Sequence, residues 1–331
     1  MNRRRIALSL LQVAVAAALL VWAALLWGRG PFVAAAGVLS WPASIGALAM
    51  GTAGVVVQAQ RWRLVARGQG IELGLRAAIG RCWQAAFLNA VLPGGLAGDA
   101  VRAVEQGPVG HERRRETIKS SVGAVSAERL AGTSVVFLAA GIALLFAWPA
   151  AAAIGLLVAV AAGAAAWPWL RRLPQRDIGQ VLGLSVVGWC AFAVMFLMAC
   201  LAVAPHLAAG QIPVLAAITL GGMSIPLNVA GWGPREGAAA LGFMALGHPP
   251  EQGVAVSVAY GLLALVSVLP GLAVLLIRLV RSGRRRRPRR GEIKLRADVL
   301  AQDETTHRSG EGPGQRIGSI KADSGDTVTH Q

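Results

Sequence analysis

The chain has 331 residues, of which 55% are hydrophobic and 15% charged, against about 25% charged in an ordinary soluble domain, and its mean hydropathy is +0.57. That balance excludes a soluble globular protein and indicates an all-α, polytopic integral membrane protein. The formal charge of +16 comes from 32 basic residues, 29 of them Arg, set against 16 acidic ones; the arginines cluster in loops between apolar runs with no interleaved stacking aromatics, a pattern that sets membrane topology rather than binding nucleic acid.

Arg3, Arg4 and Arg5 precede an apolar run of 22 residues, 6–27. The run exceeds the ~7–15 residues of a cleaved signal core and matches the ~20 needed to span hydrocarbon, so it predicts a retained first helix with a cytoplasmic amino end. Segment 39–57 returns the chain to a basic loop with Arg61, Arg63, Arg67, Arg76 and Arg81, expected to be cytoplasmic. Stretch 82–98 is followed by a second basic loop, with Arg102, Arg113, Arg114, Arg115 and Lys119. Two consecutive cytoplasmic loops cannot be joined by one crossing, so 82–98 enters and leaves on one side or forms a pair of half-helices. Segment 121–146 crosses outward, 150–167 crosses back to Arg171, Arg172 and Arg176, and 178–203 crosses outward again.

Loops 204–211 and 247–252 hold no Lys or Arg and are both expected outside, so 212–247 must also turn back. Arg235 and Glu236 then lie at the inner end of two short spans or at the tip of a re-entrant hairpin. Segment 254–279 makes the last crossing, to Arg281, Arg284 and the arginines after them. The total is about seven to eight hydrophobic segments, two of them broken, with both termini cytoplasmic. Domain organisation follows: a membrane domain over 1–282 and a basic, then polar tail over 283–331. The tail is too poor in apolar residues to offset its ordering entropy and is expected to be disordered.

The two breaks carry the chemistry. AAFLNAVLPGGLAGDAVRA (85–103) contains Asn89, Pro93, Gly94, Gly95, Gly98, Asp99 and Arg102, and IPLNVAGWGPREGAAA (225–240) contains Pro226, Asn228, Gly231, Gly233, Arg235 and Glu236. Backbone at membrane depth abandons helical hydrogen bonding only where protein or a water-filled cavity satisfies it. Both breaks share the spacing Pro-x4-Gly-x3-Arg with an acid alongside, which makes them a candidate inverted repeat. A third charged feature, Glu128-Arg129, sits inside an apolar span about two turns into its helix. Adjacent helical residues point about 100° apart, so these two are expected to find partners elsewhere. Asp99, Glu128 and Glu236 against Arg102, Arg129 and Arg235 permit one neutral buried network. Two roles stand open: the six ions clamp the broken segments, or the arginines share themselves with a lipid phosphate, whose oxygens a guanidinium matches bidentately. Amino ends of half-helices after Gly98 and Gly233 would add N–H donors for the same anion.

No catalytic constellation emerges. The histidines at 111, 206, 248, 307 and 330 form no close pair in the sequence, there is no paired-carboxylate metal motif, and no Ser/His/Asp grouping can be assembled. Arginines beside Asp99 and Glu128 argue against a cation there, and PGGLAGD lacks the Lys-Ser/Thr of a nucleotide loop. Cys82, Cys190 and Cys200 read as core thiols. The expectation is a non-enzyme with no cofactor and no metal.

RWRLVARGQG (61–70), FLNAVLPGGLAGDAVR (87–102), SAERLAG (126–132) and GWGPREGA (231–238), in that order, resemble the lysylphosphatidylglycerol synthase transmembrane-region family, over most of 1–282. The resemblance implies a flippase-type module of a bacterial cytoplasmic (inner) membrane that moves lipids such as aminoacylated phosphatidylglycerol, or other lipids in archaeal and hopanoid-pathway relatives. The sequence after 282 offers nothing that would fold as the soluble aminoacyl-transfer domain of the full-length synthases, so lysyl-lipid synthesis by this chain alone is not expected. The expected function is binding and translocation of an anionic phospholipid or a polyprenyl- or hopanoid-type lipid. The alternatives are a non-catalytic membrane partner of a lipid-modifying or envelope-synthesis enzyme, and a membrane-embedded transferase.

Overall fold

The structure, a computed structural model, describes residues 30–92, 97–104, 111–146, 148–224 and 233–285. The expected first helix, the centres of both breaks and the tail beyond 285 lie outside the described residues, and with them Pro93, Gly94, Gly95, Pro226, Asn228 and Gly231. Among the described residues every regular element is a helix: α1 (Gly30–Ala36), α2 (Trp41–Arg67), α3 (Leu75–Val91), α4 (Ala97–Val104), α5 (His111–Leu144), α6 (Pro149–Leu170), α7 (Gln175–Val203), α8 (Gln211–Met223), α9 (Pro234–Ala245) and α10 (Pro250–Arg285). Five are long and apolar enough to cross a bilayer: α2, α6, α7, the part of α5 from Ile118 to Leu144, and the part of α10 from Pro250 to Arg278. The protein is an all-α, multi-pass membrane protein.

The chain divides into two units, Met1–Ile277 and Arg278–Gln331. All packing described below is within the first; of the second, the described residues are the end of α10.

Local chemistry accounts for the helix boundaries. α2 starts where the Ser40 hydroxyl accepts the Ala43 N–H and Pro42 pre-sets the first turn. It continues through Arg67, ten residues beyond the apolar run that ends at 57. Arg61 and Arg63 therefore belong to a helix rather than a loop. α5 likewise begins at His111, so Arg113, Arg114 and Arg115 belong to the same helix as the span that starts at Ile118, not to a loop before it.

Each break joins two short helices that pack antiparallel. In the first, Gly98 lies against the backbone of Ala85, and Arg102, one turn further along α4, reaches back to Cys82, one turn earlier on α3. In the second, Gly222 of α8 abuts Ala238 of α9, while Gly242 abuts Leu215 and Ile218. The sequence of descending and ascending partners is that of a hairpin in both cases, as the count of basic loops requires.

Two apolar clusters carry the packing. One joins α1, α7, α8, α9 and α10 around Phe196, Leu215, Phe243 and Tyr260. The other joins α2, α3, α5 and α6 around Trp62, Trp83, Val125 and Leu170. α10 runs past both hairpins at glycine contacts, with Gly253 on Ala239, Gly271 on Trp83 and Phe87, and Ser267 against Gly51 of α2. Without a side chain, each glycine lets two backbones approach closely, the usual basis of helix packing where lipid supplies no hydrophobic drive. Large apolar side chains such as Ile142, Leu157 and Val160 stay exposed, as surfaces that meet lipid tails do.

Candidate functional site

α5 brings Glu128 to the middle of its span, about 15 Å along the helix from Ile118 at the ~1.5 Å rise per residue. Its side chain is 2% exposed. Arg61 of α2 donates from Nη2 to Glu128 Oε1 at 2.5 Å and to the Glu128 backbone carbonyl at 2.6 Å. Arg102 of α4 donates from its own Nη2 to Glu128 Oε2 at 2.8 Å. The two carboxylate oxygens thus hold two different helices onto α5. Gly132, one turn beyond Glu128, leaves the space that the Arg61 guanidinium fills.

Arg102 is enclosed on every side. Its Nη2 also pairs with Asp99 Oδ1 at 3.1 Å, its Nη1 donates to Cys82 Sγ at 3.3 Å, and its guanidinium lies 4.7 Å from the centre of the Trp62 ring. A desolvated cation over an indole face gains on the order of 2 kcal/mol. The other Asp99 oxygen accepts from Arg129 and, at 3.1 Å, from Asn89 Nδ2. Asn89 Oδ1 in turn accepts the Gly98 N–H at 2.7 Å, an amide in the first turn of α4 with no partner inside its own helix. Any residue larger than Gly at 98 would run into the Ala85 carbonyl. This one position therefore sets how closely α4 lies on α3, and with it where Asp99 and Arg102 arrive.

Among the described residues the group comprises Arg61, Arg102 and Arg129 with Asp99 and Glu128, three positive charges against two negative ones. Its members differ in what holds them. Removing one partner of a fully buried pair costs about 3–5 kcal/mol, which applies to Arg61 and Arg102 on Glu128. Arg129 is 44% exposed at its side chain, and a pair with that access to solvent is screened and contributes about 0–1 kcal/mol. Three buried N–H donors in the same place, Arg61 Nε, Arg102 Nε and Trp62 Nε1, have no acceptor among the described residues. Buried donors without acceptors are costly in a medium of low polarity.

The second break is built on similar parts but closes on itself. Gly233 takes φ +116°, which L side chains rarely adopt, and its N–H donates to Glu236 Oε2 at 2.7 Å. Arg235 donates to Glu236 Oε1 from Nη2 at 2.5 Å and from Nε at 2.9 Å. Ser257 of α10 bonds both residues, and the guanidinium lies 5.4 Å from the Tyr260 ring, in the space that Gly261 leaves open. Among the described residues one arginine here meets one carboxylate.

Three sequence expectations change. The six ions do not form one neutral network. Among the described residues Asp99, Glu128, Arg102 and Arg129 gather at the first break, where Arg61, not one of the six, brings the extra positive charge, while Arg235 and Glu236 pair at the second; the contacts of Gly261 and Gly271 are about 15 Å apart along α10. Arg61, expected in a cytoplasmic loop, is 8% exposed and is a principal partner of Glu128. The sign available in the sequence was its place on the apolar stripe of Val57 and Leu64, at helical spacing. Finally, His206 and His248, far apart in the chain, do pair: their ring centres are 6.0 Å apart, and each ring nitrogen meets a glutamine oxygen, Gln252 and Gln211 respectively. Glu128 and Arg129, as expected, turn to different partners. Among the described residues no group of three or more His, Cys, Asp and Glu side chains is arranged to hold a metal.

Comparison with curated proteins and with solved structures gives no match. Comparison with protein families matches residues 9–178 and 169–271 to the lysylphosphatidylglycerol synthase TM region. Those residues contain both helical hairpins and every ion of the two clusters, and the chain belongs to that family.

Proposed function

We propose that the protein binds a phosphate-bearing membrane lipid, an anionic phospholipid or a polyprenyl-type lipid, at the first break and carries its headgroup across the bacterial cytoplasmic membrane. The observation that carries this reading is the cluster on α2, α4 and α5: among the described residues it sets three arginines against two carboxylates and leaves three buried N–H donors without acceptors. An oxyanion supplies both the missing charge and the missing acceptors. Arginine suits that task because its planar donor set matches phosphate oxygens in pairs and keeps its charge in a partly dry site.

The neutral Arg235–Glu236 pair then acts as the hinge end of the second hairpin rather than as a second phosphate site. Basic loops hold the helix ends, and both termini, on the cytoplasmic side.

The test is reconstitution. Purified protein in liposomes carrying a fluorescent phosphatidylglycerol on the inner leaflet should speed its appearance on the outer leaflet relative to protein-free liposomes. The Arg102→Gln variant, folded by its circular dichroism, should not. Equal rates with and without protein, for phosphatidylglycerol and for a polyprenyl phosphate alike, would refute the proposal.

A further inference from the structure

Asp99 is the one carboxylate of the cluster whose partners are unequal. Arg102, enclosed and shared with Glu128, holds one oxygen; Arg129, nearly half-exposed, and Asn89 hold the other. Glu128, by contrast, lies between two arginines that are both buried. A guanidinium as exposed as Arg129 at the depth of mid-span faces a hydrated space, because lipid tails exclude it. Of the three arginines, Arg129 therefore loses least on leaving its carboxylate.

Resting on the lipid-binding reading above, we propose that Asp99 is a built-in stand-in for the ligand's phosphate. It occupies Arg129 while the site is empty and gives that arginine up when a phosphate oxyanion arrives. Arg61 and Arg102 stay on Glu128 throughout and hold the helices in place. Arg129 is the arm that changes partner, so Asp99 sets the affinity by competing for it. The competition serves transport as well as capture: a site that carries its own anion also favours release, since the returning carboxylate displaces the phosphate. Asn89 positions the stand-in, tying the Asp99 carboxylate to the Gly98 amide and so to the close approach of α4 on α3.

The ligand chemistry named by these contacts is a phosphate oxyanion, which a lipid headgroup or free phosphate would both present. The experiment titrates the full chain in neutral detergent with short-chain phosphatidylglycerol, with inorganic phosphate, and with diacylglycerol as the phosphate-free control. The Asp99→Asn variant keeps the shape and the bond to Asn89 but removes the competing charge. Its affinity for phosphatidylglycerol should rise about tenfold, as expected when an arm otherwise sequestered becomes fully available. Arg129→Gln should lose most of the binding, and the double variant should bind no more tightly than the parent.

Unchanged or weaker binding by a folded Asp99→Asn protein would overturn the proposal. Should that variant fail to fold, Arg129→Gln decides alone, and undiminished binding by it overturns the exchange. Phosphate binding equal to that of phosphatidylglycerol would keep the exchange and remove the lipid reading. Binding of neither by the parent would remove both.

Discussion

The guanidinium of Arg61 donates to the side chain and to the backbone carbonyl of Glu128, a residue 67 positions later in the chain. These two hydrogen bonds fasten α2 to α5 at the level where Arg102 of α4 takes the other carboxylate oxygen. Glu128 is therefore the common anchor of three helices, and the first hairpin is fixed to the rest of the membrane domain through it.

Loss of Arg61 should for that reason be felt as instability before it is felt as lost transport. Arg61→Gln leaves Glu128 with a single cationic partner and should cost about 3–5 kcal/mol. Thermal unfolding in detergent, followed by tryptophan fluorescence, should show a large fall in Tm; a Tm equal to the parent's would mean that the pair is not structural.

Arg129 should behave in the opposite way. Asp99 keeps Arg102 and Asn89 when Arg129 is changed, and the lost pair is partly exposed, so Arg129→Gln should cost less than about 1 kcal/mol. The expected result is a near-parental Tm with reduced binding of phosphatidylglycerol vesicles. A fall in Tm as deep as that of Arg61→Gln would place Arg129 in the scaffold instead.

Glycines beside the buried arginines make a matched pair of tests. A methyl group at Gly132 would meet the Arg61 guanidinium, and one at Gly261 would meet that of Arg235. Neither guanidinium has freedom to withdraw, so each Ala variant should be destabilised by about 1–3 kcal/mol, the usual cost of overpacking. Gly54→Ala, where nothing lies within 4 Å of the added carbon, is the control and should leave Tm unchanged or slightly raised.

Sidedness is tested by cysteine labelling in whole cells on a Cys-free background. Single cysteines at Arg67 and Pro174, both exposed at helix ends, should be protected from an impermeant external reagent, whereas Ala208 and Pro249 should react. Val65 and Leu207 are buried and would be silent in either orientation. Labelling at Pro174 without labelling at Pro249 would invert the topology.

Much of the architecture was legible in the chain itself. Apolar runs of spanning length define the long helices, because a bilayer demands about 20 such residues in a row. The arithmetic of basic loops implied that 82–98 and 212–247 turn back, and the structure builds an antiparallel hairpin at each. The Gly98 and Gly233 breaks, and the charges beside them, were visible because Gly, Pro and ions are out of place in hydrocarbon. Helical geometry also separated Glu128 from Arg129.

Partner choice was not legible, since it depends on which helix faces come together across tens of residues. Arg61 reads as one more arginine of a basic loop until α2 is seen to continue as a helix and to lay that face on α5. The likeness of the two Pro-x4-Gly-x3-Arg breaks suggests two equivalent sites. Yet Arg102 arrives among Asp99, Glu128 and Trp62 while Arg235 folds onto its own neighbour Glu236. One-dimensional spacing fixes where a charge sits on its helix; only packing, by burying that charge beside or away from an opposite one, determines whether it is left over to meet a ligand.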